Sequence, residues 1–561
     1  MNTRSTIAAL AAVLSAAAAF GDATIHFDPS APAFKDQRDH RSGSCIGYAG
    51  CVTDIGGKYT DEFMRDPDAL WEQFQKSGAY VVKQWSANED WNQSMAYQRL
   101  KTDADRAEFR KKYPNTTFVA PEKIWQWRKD HGIRILLCLE NYGVTTNYMP
   151  FARTDDIAAV KEKILEMVQW IVDNGFQDQV IGFELGNEPY FGSDPERFAA
   201  RWSEIVPEMK RIFPEVEIGF SIAEYRDGDP DVAAVRARST AVDKWFEGGS
   251  EFGFNKINQW SGRFIVAFSN CLDLCSHVIY HFYGGDAAYG CGASGFARIR
   301  NFAKAFPEVK DKRVWITEWR ERSDEDCRCQ QMHSSSIFKA HYALSCICQP
   351  EIDSINLHSC NSLAGGFDIA TGDGSWYIQW DPAGRDFSDP DFTGRPRIET
   401  GPVGPVFSMY NQALIAHPLI MDHGVWEGGS ITNSSYWSAN VFYGFHHAMV
   451  GWLTYGADPK KLPKNKGNAE WVLATNPDRT SIAILVCNST RSDWKPTLAM
   501  TGAKPGRAHY RTFSCPDEKR IFVHQIPGEP RPTVEAEYDG DAANLVVPAY
   551  TIATITIPVV K

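Results

Sequence analysis

From about residue 75 to 360, short apolar runs alternate with stretches whose apolar residues recur at helical spacing. Gly78–Trp85 reads as a strand, and Gly132–Leu139 as a strand buried on both faces. Between them, Pro121–His131 reads as a helix that carries Trp125 and Trp127. In Asp155–Asn174, Ile157, Val160, Ile164, Val168 and Ile171 fall on one helical face. That helix leads into the apolar run Val180–Leu185. The alternation continues through helix Asp194–Phe213, strand Glu217–Ser221, strand His277–Tyr283, helix Gly295–Phe306 and strand Arg313–Thr317. Helix Ser335–Cys348 and strand Ile352–His358 close the series, and Ile46–Gly50 opens it. Repeated strand–helix units predict a parallel sheet. About eight strands predict an α/β fold of the closed (β/α)8 TIM-barrel kind.

After the eighth strand the pattern lapses. A loop rich in Gly, Asp and Pro runs from about Ser359 to Pro405 before an apolar helix, Val406–His417. So long a loop in a compact domain is more often functional than idle. It carries Trp376, Tyr377 and Trp380 and is expected at the barrel mouth, with further long loops near residues 30–65 and 86–120. From about Pro463 the texture changes to short strands split by Gly, Pro, Asn and Asp: Trp471–Ala474, Ser481–Val486 and a segment from Ala543 to Val560. These predict a smaller C-terminal antiparallel β-sandwich. The expected division is a leader over 1–21, the barrel over 22–460 and the sandwich over 461–561.

The leader reading rests on Arg4, the short apolar run Ile7–Phe20 and the small residues around Ala19-Phe20-Gly21, a secretory pattern. The run is too short for a transmembrane span, and no later stretch reaches about 20 uninterrupted apolar residues. A secreted or periplasmic protein without membrane insertion is expected. The net charge of −12 disfavours nucleic acid, whose phosphates call for concentrated Lys and Arg. Thirteen cysteines leave at least one unpaired if all disulfides are internal. Export permits disulfides, and Cys45 with Cys51, Cys271 or Cys275 with Cys291, and Cys487 with Cys515 are candidate pairs. Cys138, inside an apolar strand, reads as a buried thiol. Cys327-x-Cys329 and Cys346-x-Cys348, with His333 between them, lack the two-residue gap of a zinc knuckle. Oxidised or buried cysteines account for them without a metal, and a metal hydrolase that uses this segment is the weaker alternative.

Two apolar runs end in a glutamate. Val180–Leu185 runs into Gly186-Asn187-Glu188-Pro189, and Arg313–Thr317 into Glu318-Trp319. A barrel strand that ends in a carboxylate aims an acid at the mouth. Two such carboxylates on different strands can face one glycosidic bond. Asn187-Glu188-Pro189 on the fourth strand and Thr317-Glu318-Trp319 on the seventh resemble the signature of the clan A glycoside hydrolases. Val547–Thr554 resembles the last strand of the β-sandwich appendage found in that clan. The resemblance spans about residues 40 to 561.

The resemblance implies retention of anomeric configuration by double displacement, with no metal and no organic cofactor. Glu318 would be the nucleophile and Glu188 the acid and then the base, with carboxyls about 5–5.5 Å apart. Burial and the charge of Glu318 would hold Glu188 partly protonated. Asn187 would bond the sugar 2-hydroxyl, and the Tyr283 phenol would bond the nucleophile. His281 alternates onto the same side of its strand as Tyr283. Many members of the clan place an Arg near the end of the second strand; here that region reads Lys83-Gln84-Trp85, so either Lys83 substitutes or the anchor comes from elsewhere. Asn141, at the end of the third strand, is a further candidate for sugar contact. Trp85, Trp319, Trp376 and Trp380 either stack on sugar faces or pack. Glu184 reads as structural or supporting, with direct sugar contact as the alternative, and His358 as a buried histidine or a ligand.

These readings converge on an enzyme that acts on an oligosaccharide or polysaccharide, from the chain end and on β-linked glycans. β-Galactosidase, β-xylosidase and α-L-arabinofuranosidase activities stay open, as do an endo-acting glycanase and a non-catalytic glycan binder. Oligomeric state is left open. Asn115-Thr116-Thr117 and Asn488-Ser489-Thr490 have the form of glycan acceptors.

Overall fold

The computed structural model describes residues 23–39, 46–49, 67–112, 118–139, 157–222, 254–283, 299–320, 332–358, 397–427, 467–517 and 531–560, apart from a few isolated positions. Residues 41, 362–363, 376–379, 430–432 and 520–521 are described as well. The chain forms two compact units. One comprises His40–Arg322 and Glu351–Glu399; the other comprises the chain up to Asp39, Ser323–Pro350 and Thr400–Lys561.

The first unit is a closed barrel of eight parallel strands. They are β1 (Ile46–Ala49), β2 (Val81–Gln84), β3 (Arg134–Leu139), β4 (Val180–Leu185), β5 (Glu217–Ser221), β6 (His277–Tyr283), β7 (Arg313–Arg320) and β8 (Ile352–His358). Each pairs with the next in sequence, and β8 closes on β1. The strands are mostly apolar because both faces are covered, and the few charged residues within them, Lys83 and Glu184 among these, are buried. Helix Ile157–Asp173 buries Val160, Ile164, Met167, Val168 and Ile171, the stripe that its spacing predicts. Helix Pro195–Ile212 is capped by Asp194, whose carboxylate accepts from Arg197 N at 2.9 Å. The segment 86–120, expected as a loop, holds two helices, Ala87–Gln98 and Asp103–Lys112. The first buries Trp91, whose ring lies 5.8 Å from that of Trp170.

Period-two alternation layers the barrel interior. On β6, His277, Ile279 and His281 follow one another on one face; on β2, Val81 and Lys83 do the same. At the N-terminal end, His277 Nε2 meets Asp353 at 2.9 Å, and Arg313 pairs with the same carboxylate. Above this polar floor, Val81, Leu136, Ile181, Ile279 and Trp315 form a fully buried cluster. The Trp315 indole fills the barrel because β4 and β5 make room for it. A Cβ at Gly182 or Gly219 would collide with its ring. The site therefore stands on a solid apolar plug, not over a pore.

The second unit is built on an antiparallel sheet. Its main path comprises β9 (Leu419–Glu427), β10 (Ser430–Thr432), β11 (Ala469–Thr475), β12 (Ser481–Asn488), β13 (Ala508–Ser514), β14 (Val534–Gly540) and β15 (Thr551–Val560), with Lys35–Asp36 paired to β9 and Lys504–Pro505 to β15. They run in the order β10-β9-β11-β12-β15-β13-β14. Against it lies a parallel pair, Thr24–Phe27 with Thr497–Met500. Ile25 and Phe27 join Trp471, Ile484, Trp494 and Ile555 in one core. A TIM barrel with a smaller antiparallel β-domain is thus the architecture. Helices His333–Ile347 and Gly404–Ala416 belong to this unit, and His341 bridges Glu470 and Ser489 at 2.9 Å each.

The cysteines need a correction. Cys487 and Cys515, expected as a pair, are buried free thiols. Their sulfurs turn to different carbonyls, Ile337 O at 3.7 Å and Asp517 O at 3.4 Å. Cys271 and Cys275 are also buried thiols, and burial pushes Cys275 up to about 12. Cys138 is buried within β3. Cys45, Cys51, Cys291, Cys327 and Cys329 lie outside the described residues. Among the described residues no helix is long and apolar enough to cross a membrane.

Candidate active site

At the C-terminal end of the barrel, β4 stops at Leu185 and the chain turns sharply. Gly186 has φ 73°, and a Cβ there would press on the Phe198 ring at 3.0 Å. Two residues on, Glu188 adopts φ 44°, a left-handed conformation that non-glycine residues rarely take. Such strain persists where surrounding contacts over-determine it, and it clusters at functional sites. The turn lets the consecutive side chains Asn187 and Glu188 both enter the site.

On β7 a different device does the same. His281 pairs with Glu318 where Tyr280 pairs with Ile316, so Thr317 is an extra residue in the ladder. A bulge re-aims side chains beside it. Here it lets Thr317 and Glu318, neighbours in sequence, both face Lys83 Nζ, at 3.4 and 2.9 Å.

The result is a compact charged cluster. Lys83 Nζ donates to Glu318 Oε1 at 2.9 Å, Asn187 Oδ1 at 3.0 Å and Glu184 Oε1 at 3.1 Å. Trp85, two residues along, donates its indole N–H to the same Glu318 Oε1 at 2.6 Å. His281 Nδ1 lies 3.0 Å from Glu188 Oε1 and 3.6 Å from Glu318 Oε2, while its Nε2 lies 2.8 Å from Thr317 Oγ1. The Tyr190 hydroxyl donates to Glu188 Oε1 at 3.1 Å. Glu188, His281 and Glu318 each bring one ligand atom to within 4.8 Å of the others. That set could in principle ligate a cation, but the Lys83 ammonium already supplies positive charge against Glu318.

Burial alone would discharge Lys83, but the carboxylates of Glu184 and Glu318 outweigh it and raise its pKa. For Glu184, burial favours the neutral acid; Lys83 and His281 overcome that and lower its pKa. Burial likewise opposes charge on His281, yet Glu318, with hydrogen bonds to Glu184 and Glu188, raises its pKa to about 9 despite the nearby Lys83. At neutral pH His281 is therefore an imidazolium that donates from both nitrogens. Burial and the charges of Glu188 and Glu318 hold the Tyr190 phenol well above its ordinary range, so it is a neutral donor.

Of the residues expected from sequence, the structure brings Glu188, Glu318, Asn187, His281 and Trp85 together. Lys83 occupies the place considered for it. Trp319 is fully buried and offers no ring face to a sugar. His358 is half-buried, its ring 5.1 Å from that of Trp85. Asn141 lies outside the described residues, as do the side chains of Tyr283 and Trp376. Trp376–Gln379 is a strand in a small three-stranded sheet with Ser362–Leu363 and Arg397–Thr400. His333 is spent on Tyr550 O at 2.8 Å. Thr317 and Tyr190 were not foreseen.

The fold and site define a barrel protein with a carboxylate pair at its C-terminal face. The chain matches no protein-family model and no curated protein. Among solved structures it is similar to an α-L-arabinofuranosidase from Thermotoga maritima in complex with arabinose, at 11% identity and TM-score 0.54, over 95% of this chain and 99% of that one. It is similar also to the thermostable family 51 α-L-arabinofuranosidase of Thermotoga petrophila, at 11% identity and TM-score 0.55, over 95% and 99% of the two chains. The family 51 α-L-arabinofuranosidase AbfB of Bifidobacterium longum gives 10% identity and TM-score 0.54, over 96% and 99%. At these identities the likeness is one of fold.

Proposed function

We propose that this chain is a retaining glycoside hydrolase of the clan A kind, with Glu318 as nucleophile and Glu188 as acid and base. The observation that carries the reading is the approach of the two carboxylates to within 4.8 Å from the ends of β7 and β4. Retaining enzymes hold the pair about 5–5.5 Å apart, whereas inverting enzymes need about 6.5–9.5 Å to admit water.

In the first step an electron pair on a Glu318 oxygen forms a bond to the anomeric carbon. The bond to the leaving oxygen breaks, and that oxygen takes the proton of Glu188. Glu188 Oε1 is occupied by His281 and Tyr190, so Oε2 is the oxygen that carries the transferable proton. In the second step Glu188 takes a proton from water, the water oxygen bonds to the anomeric carbon, and the ester bond returns its pair to Glu318. Asn187, fixed by Lys83, presents its amide toward a sugar hydroxyl. His281 swings no charge of its own; its two N–H donors hold Glu188 and Thr317 in place.

Attack from the chain end on β-linked glycans, and export from the cell, are parts of the proposal. The first rests on the sequence reading of long connections after the barrel strands and on the clan resemblance, the second on the leader-like N-terminus. The test is a panel of p-nitrophenyl glycosides that includes α-L-arabinofuranoside, the sugar named in the structures of like fold, with β-D-xyloside and β-D-galactoside. Turnover with the product first appearing in the substrate's own anomeric configuration, read by proton resonance, is expected. First appearance of the opposite anomer, or full activity in Glu318→Gln, would refute it.

A further inference from the structure

Lys83 is bound more fully than attack by Glu318 requires. An ammonium has three N–H groups. Those of Lys83 face Glu318 Oε1 at 2.9 Å, Asn187 Oδ1 at 3.0 Å and Glu184, whose two oxygens lie 3.1 and 3.0 Å away. Lys83 and Glu184 are both fully buried. Glu184 lies on β4, four residues before Glu188, held also by Ser221 Oγ at 3.4 Å and near His281 Nε2 at 3.5 Å. Its polar partners among the described residues are Lys83, Ser221 and His281, and the double displacement gives it no step.

The charges explain its presence. In the resting site Lys83 faces two carboxylates. When a Glu318 oxygen bonds to the anomeric carbon, the leaving oxygen departs with the Glu188 proton and Glu318 becomes a neutral ester. One of the two anions beside Lys83 has then vanished. A buried ammonium without an anion is strongly unfavourable. The carboxylate left on Glu188 faces His281, at 3.0 Å, which is itself a positive group 3.4 Å from Lys83 Nζ. Glu184 keeps its charge throughout, so the Lys83–Glu184 pair stays neutral in the ester.

We infer that Glu184 is the permanent counter-ion of Lys83 and thereby sets the stability of the glycosyl ester on Glu318. It is a positioning residue that acts through Lys83, and the inference rests on the retaining reading above. Without the Glu184 charge, Lys83 would bind the Glu318 carboxylate alone. Attack, which quenches that carboxylate, would slow. Hydrolysis of the ester, which regenerates it, would accelerate.

The test compares wild type with Glu184→Gln on 2,4-dinitrophenyl α-L-arabinofuranoside, β-D-xyloside and β-D-galactoside, using whichever wild type turns over fastest. Dinitrophenolate leaves without help from an acid, so the first step reports on Glu318 and its neighbours. The initial burst gives the glycosylation rate, the steady state gives the deglycosylation rate, and intact mass after acid quenching gives the fraction held as ester. Wild type is expected to accumulate ester. In Glu184→Gln the ratio of glycosylation to deglycosylation should fall at least about tenfold, the effect of about 1.4 kcal/mol. A ratio unchanged while both rates fall together would mean a merely structural residue and would overturn the inference. So would a wild type that turns over the dinitrophenyl glycoside with no ester in the quenched sample. If Glu184→Gln does not fold, Glu184→Asp, which draws the carboxylate back from Lys83, should move the ratio the same way, and an unmoved ratio overturns the inference equally. Failure of the underlying reading looks different: wild type releases no dinitrophenol from any of the three, or Glu318→Gln releases it undiminished.

Discussion

His281 Nδ1 lies 3.0 Å from Glu188 Oε1, joining β6 to the end of β4 by a charged hydrogen bond inside the barrel mouth. The carboxylates around it raise its pKa from 6.5 to about 9. The folded chain therefore binds this proton more tightly than the unfolded chain does. The stabilisation is fully present below pH 6.5 and is lost as pH rises through about 9. Each unit of pKa difference corresponds to about 1.4 kcal/mol. Urea unfolding of wild type and His281→Asn from pH 6 to about 10 should show a stability gap that narrows across that window. A gap independent of pH would mean that His281 is neutral in the folded protein.

Glu188 should separate the two steps. Glu188→Ala should cost about 10²–10⁴-fold on glycosides with poor leaving groups, where general acid catalysis is needed. On dinitrophenyl glycosides the first step should survive and the ester should accumulate, because water then lacks its base. Added azide, a nucleophile that needs no proton removed, should restore turnover and yield a glycosyl azide of the substrate's configuration. Restoration without an azide product, or equal losses on all leaving groups, would remove Glu188 from the acid–base role.

Trp85 reaches the nucleophile by its indole N–H, 2.6 Å from Glu318 Oε1. Phenylalanine at this position keeps a ring beside His358 and deletes the donor. Hydrogen bonds to charged groups contribute about 1.5–3 kcal/mol, so Trp85→Phe should lower kcat by about ten- to hundredfold. Steady-state kinetics distinguish the alternatives. A change confined to KM would make the ring a sugar platform and not an anchor for the carboxylate.

The carboxylate pair was legible because each glutamate closes an apolar run, and a strand end has a fixed address in a barrel. Lys83 and Glu184 leave a fainter signal: charged residues within strands that are otherwise apolar, where burial demands a partner. Their partnership could not be read, since they stand on β2 and β4, 101 positions apart in the sequence. Thr317 enters the site only through the β7 bulge, and a bulge leaves no mark in an apolar run. Tyr190 enters because the Glu188 turn breaks period-two alternation. Helix Ala87–Gln98 was not legible because the buried positions among its described residues, Ala87, Trp91, Ser94 and Tyr97, include a small and a polar residue and make a weakly apolar stripe. Thr24–Phe27 pairs with Thr497–Met500, and nothing local in four residues announces so distant a partner.

The sequon at Asn488-Ser489-Thr490 has the form of an acceptor without the accessibility. Asn488 is fully buried, and its Nδ2 lies 2.9 Å from each of Ser492 O, Val547 O and Pro548 O. Its Oδ1 accepts from Thr490 N at 3.1 Å and from the Thr490 hydroxyl at 2.7 Å. The amide thus ties the end of β12 to the segment that leads into β15. A glycan would have to replace an amide hydrogen that these carbonyls require. Expressed with a secretion leader in a eukaryotic host, folded protein should carry no sugar at Asn488 in peptide mass analysis. Asn488→Ala would leave buried carbonyls and the Thr490 donors unsatisfied, at about 1–3 kcal/mol for a buried group left unpaired. Its thermal midpoint should fall while kcat on the best glycoside stays at the wild-type value, because the residue lies in the antiparallel unit and not in the barrel. A fully occupied sequon on folded protein would contradict the buried position of this side chain.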